Sequence, residues 1–215
     1  MGNRRRERNS PIVDDLLLNS RPPIKLYDLT YFENEEQFLE GTGSLVLDRI
    51  NKIAYCCLSA RTHEKVIDVW AQITGYQTCI FHAYDENHRA IYHTNVMMNI
   101  GDTFVIICLS AIKNKTEKQK VVNYLSNKSK KIIIPITIEQ LNNFVGNSLQ
   151  IKNIYGVSVM CLSETAYKSL SDDQKKVLMK ACPGGFAIVD YSVIEKARGG
   201  SVRCSLLEFY PTRVN

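Results

Sequence analysis

The chain has 215 residues, 45% of them hydrophobic and 23% charged, with a net charge of +5. This is ordinary for a soluble globular protein, long enough to bury a substantial core, and is read as a single domain over residues 1–215. Neither basic cluster (Arg4, Arg5, Arg6 and Arg8; Lys128, Lys130 and Lys131) has interleaved aromatics, which argues against nucleic-acid binding, and no apolar run approaches a membrane span.

In chain order, residues 11–18 read as a short amphipathic helix ended by Arg21-Pro22-Pro23, and residues 24–29 as a strand. A polar, acidic stretch then leads to Phe38-Leu39-Glu40-Gly41-Thr42-Gly43. From there a pattern repeats. A strand over 44–48, a turn over 49–52 and a buried strand over 53–58 precede a helix from residue 62 or 63 to 74, stopped by Gly75; a third strand follows over 77–83. The same order recurs as strands 95–100 and 103–109, a helix over 117–126 and a strand over 131–136. It recurs again as strands 149–154 and 155–162, helical segments over 164–180 and a strand over 186–189. The units begin roughly fifty residues apart, a spacing typical of modular or propeller-like α/β architecture. A lone strand is expected over 202–210.

Seven cysteines, at 56, 57, 79, 108, 161, 182 and 204, form no C-x-x-C pair, and the four histidines are not spaced with them as zinc ligands. No metal and no cofactor is expected. The odd cysteine count without a framework fits a reducing compartment, and no apolar segment of a secretory signal follows the N-terminal charge. A cytoplasmic location is the expectation. Cys56, Cys57, Cys79, Cys108 and Cys161 lie in apolar, strand-like runs and are expected to be buried.

Cys204 is different, because it follows Gly199-Gly200. Glycine lets the backbone turn sharply and approach a ligand closely, so the thiol can point into a pocket. Glu40, His93 and Cys204 each sit at the entrance to a repeated unit, and in a ring of units such positions converge on one end of the axis. A cysteine nucleophile, a histidine that moves protons and a carboxylate that holds an N–H group suit attack on a carbon bearing several nitrogens. Arg61 is a candidate clamp for a substrate carboxylate. Each residue alone has a plainer reading: Cys204 as a packed strand residue, His93 as a core or turn histidine, Glu40 and Arg61 as surface charges.

Four segments in order carry a family resemblance: Leu39-Glu40-Gly41-Thr42-Gly43-Ser44, Cys57-Leu58-Ser59-Ala60-Arg61-Thr62, Tyr92-His93-Thr94-Asn95-Val96 and Gly199-Gly200-Ser201-Val202-Arg203-Cys204. Together they resemble the arginine deiminase and amidinotransferase superfamily, and within it the arginine-deiminase-related citrulline-utilisation hydrolases. The resemblance implies the pentein fold, an α/β propeller of strand–strand–helix–strand units, here incomplete with about three full units. It implies Cys204 as nucleophile, His93 as general acid/base and Glu40 as the carboxylate holding the substrate's nitrogen group. Arg61 is implied at the amino-acid end of the substrate. Asn95 stands where many relatives carry an acidic residue, which favours a neutral ureido substrate such as citrulline.

The implied activity is hydrolysis of a carbon–nitrogen bond in citrulline or a related guanidino or ureido compound through a covalent cysteine adduct. The alternatives are an amidinotransferase and a non-catalytic remnant that binds a ligand. The resemblance also implies an earlier propeller segment with a Pro-Asp-x-Val-Phe-x-Asn-Asn-like motif. The sequence has no such motif, so the chain is expected to be the C-terminal part of a relative and to oligomerise over its open edges.

Overall fold

The computed structural model describes residues 10–19, 25–197 and 200–208. Helix α1 (Ser10–Asn19) occupies the first expected helical segment. The described residues then form three three-stranded sheets of one connectivity, each with an antiparallel pair followed by a parallel strand.

In the first sheet, β1 (Leu45–Asp48) pairs antiparallel with β2 (Ile53–Cys57), and helix α3 (Glu64–Thr74) crosses over to β3 (Gln77–Phe81), parallel to β2. The short helical turn α2 (Gly41–Ser44) leads into β1. In the second sheet a similar turn, α4 (Thr94–Met97), leads into β4 (Met98–Ile100), which pairs with β5 (Phe104–Ile107). Helix α5 (Lys115–Asn123) then carries the chain to β6 (Ile132–Pro135). Its start is fixed by Asn114, whose side chain accepts the backbone N–H groups of Thr116 and Glu117, otherwise unpaired at a helix N-terminus. After α6 (Ile138–Asn142), the third sheet pairs β7 (Leu149–Lys152) with β8 (Ser158–Ser163). Helices α7 (Glu164–Ser169) and α8 (Asp172–Ala181) return the chain to β9 (Phe186–Val189).

The central strands β2 and β5 are buried along their whole length. Both faces are covered, so their sequences read as continuous apolar runs rather than alternating ones. The first strands of the units neighbour one another, β1 against β4 and β4 against β7. A large core through Tyr55, Phe81, Phe104, Ile106, Met160 and Leu162 joins the three sheets.

Several expected strands are corrected. Residues 25–29 form no strand; Leu26 and Tyr27 are exposed, and the Asp28 carboxylate accepts the Thr30 N–H to start a 3₁₀ turn (Thr30–Glu35). Residue 24 lies outside the described residues. The strand expected from residue 95 begins only at Met98, because Thr94–Met97 turns helically. Residues 155–157 form a turn around Asn153, whose side chain accepts the N–H groups of Tyr155 and Val157. The strand expected over 202–210 is instead a 3₁₀ turn, Val202–Ser205. Its backbone is satisfied by Asn147, which accepts the N–H groups of Ser201 and Arg203, so it has no need of a neighbouring strand. Residues 209 and 210 lie outside the described residues. After α9 (Ser192–Lys196), this 3₁₀ turn is the last regular element among the described residues.

Candidate active site

The segments that enter β1 and β4 are tied together by buried hydroxyls. Ser44 Oγ accepts the Glu40 N–H at 2.9 Å and donates to the Arg61 carbonyl at 3.0 Å. Thr62 Oγ1 donates to Ser44 Oγ at 2.7 Å, and Thr94 Oγ1 donates to the Ser44 carbonyl at 2.5 Å while accepting the Cys57 N–H. Ser44 and Thr94 are both fully buried. Buried hydroxyls with every partner in place make a rigid frame, and this one fixes the backbone beside Glu40, Arg61 and His93.

On that frame His93 Nε2 lies 2.8 Å from Glu40 Oε2. The imidazole packs on Gly43 so closely that a Cβ there would stand 2.8 Å from the ring. The same Glu40 oxygen is 3.7 Å from an Arg61 guanidinium nitrogen, and that guanidinium lies over the Tyr92 ring at 4.8 Å. Burial pushes the Glu40 carboxyl up, but hydrogen bonding and positive charge, those of His93 among them, bring it down to a net value below its ordinary 4.5. Glu40 is therefore an anion in the neutral range.

Cys204 is held by a different set of segments. Gly200 adopts a left-handed φ of +87° and lies against the thiol, where a Cβ would come within 2.7 Å of Sγ. The thiol accepts from Asn147 Nδ2 at 3.2 Å and from Asn95 Nδ2 at 3.9 Å. Asn95 is almost fully buried, and its Oδ1 has no hydrogen-bond partner among the described residues. Glu195, near the end of α9, accepts from Ser201 Oγ at 2.6 Å and braces the same segment.

Glu40, Arg61, His93, Asn95 and Cys204 all line one cleft of about 1060 Å³, with Glu195 on its wall. The structure thus brings every candidate residue to one place. Cys204 is exposed to it, whereas Cys56, Cys57, Cys79, Cys108, Cys161 and Cys182 are buried. Burial pushes Cys57 and Cys79 up to about 12 and Cys182 up to about 11, leaving those thiols neutral. Among the described residues no group of three or more His, Cys, Asp and Glu side chains is placed to hold a metal ion.

Sequence reasoning missed Asn147, Ser44, Thr94 and Glu195. Asn147 stands two residues before β7, whereas Glu40 and His93 each stand five before β1 and β4, so the repeat does not mark it.

The fold recurs among solved structures. The arginine dihydrolase ArgZ from cyanobacteria, in its apo form, aligns with a TM-score of 0.59 at 17% identity, covering 81% of this chain and 27% of that one. The N-terminal domain of ArgZ bound to substrate aligns with a TM-score of 0.57 at 16% identity, over 81% of this chain and 61% of that one. Agmatine deiminase from C. jejuni aligns at 0.50 and 15% identity, over 90% of this chain and 61% of that one. The chain spans less than two thirds of each of these relatives. Among curated proteins none matches. These likenesses show the fold, and together with a matching family model they place the chain in the arginine deiminase and amidinotransferase superfamily, the penteins. The sequence model of one of its families, described as N,N dimethylarginine dimethylhydrolase, eukaryotic, matches residues 1–210, and the chain belongs to that family.

Proposed function

We propose that the protein hydrolyses a carbon–nitrogen bond of citrulline or a related guanidino or ureido compound, with Cys204 as nucleophile. The observation that carries this reading is the shared cleft, lined both by the exposed Cys204 and by a His93–Glu40 pair at 2.8 Å. The Cys204 thiolate adds to the central carbon, forming a C–S bond. A nitrogen of the substrate then leaves as the C–N bond breaks, taking its proton from His93. Water, deprotonated by the now neutral His93, adds to the same carbon, and the C–S bond breaks to return the thiolate. Glu40 keeps the imidazole oriented and holds an N–H of the substrate. Arg61, whose guanidinium lies over the Tyr92 ring, meets the substrate's carboxylate. Asn95 offers its unpartnered Oδ1 to a further substrate N–H. No cofactor takes part, and the reaction is proposed to be cytoplasmic.

Asn95 is neutral where a carboxylate would favour a cation, which supports a ureido substrate. A second reading, arginine or its dimethylated form, is favoured by the family match and by the second cleft carboxylate, Glu195. We further propose that residues 1–215 act as one domain whose three sheets stand around a common axis as propeller units, in keeping with the contacts of β1 with β4 and β4 with β7.

The test is release of ammonia or dimethylamine from citrulline, arginine and dimethylarginine by wild type and by Cys204→Ser. Release from one of them that vanishes in the variant supports the hydrolase and selects its substrate. Equal rates in the two proteins would remove Cys204 from the chemistry.

A further inference from the structure

Asn147 stands just before β7, and its carboxamide is fully committed. Its Nδ2 donates one hydrogen to the Asn95 carbonyl at 3.0 Å and the other to Cys204 Sγ at 3.2 Å. Its Oδ1 accepts the buried Ser201 N–H at 3.1 Å, and its own carbonyl accepts the Arg203 N–H at 3.3 Å. These partners fix which way the amide faces. Reversed, it would set an oxygen against the Asn95 carbonyl and an NH₂ against the Ser201 N–H, two like-to-like contacts at a residue only 2% exposed. The hydrogen aimed at sulfur is therefore enforced by backbone groups on two separate segments.

We propose that Asn147 is the residue that sets the nucleophile: its amide clamps the turn carrying Cys204 and donates a hydrogen bond that favours the thiolate over the thiol. The inference rests on the reading of Cys204 as nucleophile and adds to it a residue outside the motifs that suggested the site. A buried neutral donor in contact with sulfur stabilises the developing anion without bringing a second charge into the cleft. It also holds Sγ in place while the carbon–sulfur bond forms and breaks, so the one amide serves both addition and resolution.

Two variants separate holding from activation. Asn147→Asp keeps the shape and the acceptor for the Ser201 N–H but turns the group facing sulfur into an anion. Asn147→Ala removes both contacts. The measurement is the rate of Cys204 carbamidomethylation by iodoacetamide on the folded full chain across pH, followed by peptide mass analysis, with thermal melts alongside. The expected result is a rate near neutral pH at least about tenfold lower in Asn147→Asp, with the profile displaced to higher pH and recovered in alkali. Asn147→Ala is expected to be slower by a comparable factor. If either variant melts before the assay temperature, the other carries the comparison. Folded variants with the wild-type profile would overturn the role of Asn147 while leaving the hydrolase reading intact. A wild-type Cys204 no faster than the same thiol in the denatured chain would overturn both.

Discussion

Glu40 lies 2.8 Å from His93 Nε2, and its carboxyl is held below 4.5 by hydrogen bonding and positive charge although burial pushes it the other way. The folded state therefore binds this proton less readily than the unfolded state does. Stability from Glu40 is present above 4.5 and is lost as the pH falls through the lower folded value. In Glu40→Gln, the fall of the melting temperature between about pH 5 and about pH 3 should be shallower than in wild type; parallel curves would show that the charge does not stabilise the fold. The cysteines give a second residue-scale expectation. With Cys57 and Cys79 pushed up to about 12, Cys182 up to about 11 and all three buried, a stoichiometric alkylating agent at mildly alkaline pH should label Cys204 first. Peptide mapping of the single adduct checks this, and a first label on any other cysteine would contradict it. Asn95 gives a third. Asn95→Asp places an anion beside the cleft, so the ratio of turnover on arginine to turnover on citrulline should rise by about tenfold or more. An unchanged ratio would detach Asn95 from substrate choice.

At the scale of elements, what matters is how the entrance segments are built. The short turn α2 carries Gly43 directly under the His93 ring. Alanine there would meet Nδ1 and Cε1 at 2.8 Å, so the imidazole has to move and its bond to Glu40 is the first to go. Gly43→Ala should lower turnover by about a hundredfold, the order expected from a catalytic group misplaced by about 1 Å. Its melting temperature should change far less, and a variant that keeps its turnover would show that the ring tolerates displacement. These entrance segments are also where the sequence was least legible. The central strands were readable because Ile53-Ala54-Tyr55-Cys56-Cys57 and Phe104-Val105-Ile106-Ile107 are buried on both faces and show as apolar runs. Residues 94–97 and 202–205 look equally strand-like, yet their shape is decided by Ser44 and Asn147, partners about fifty residues away. No local pattern encodes such bonds. Glu40, His93 and Cys204 could be picked out because their chemistry is visible in one side chain each. Asn147 could not, because its importance lies in three backbone partners.

Across the whole molecule, the first two sheets are joined by a buried ion pair. Asp48 closes β1, Lys131 precedes β6, and their side chains are 3.5 Å apart at 1% and 2% exposure. Around this pair, Tyr55 and Ser129 share a hydrogen bond at 2.8 Å, and Lys131 Nζ donates to the Asp102 carbonyl at 2.7 Å. A buried pair of this kind has paid for its desolvation only while both members are present. Lys131→Met should destabilise the fold by about 3 kcal/mol, the low end for a broken buried pair, because Asn51 still donates to both oxygens of Asp48. The companion change Asp48→Asn removes the stranded charge, so the double variant should recover most of the loss. Urea unfolding of wild type, the single variant and the double variant decides it. If the sheets are locked together through this pair, the midpoint falls in the single variant and returns in the double one. If all three midpoints coincide, the buried charges add nothing to the union of the two units.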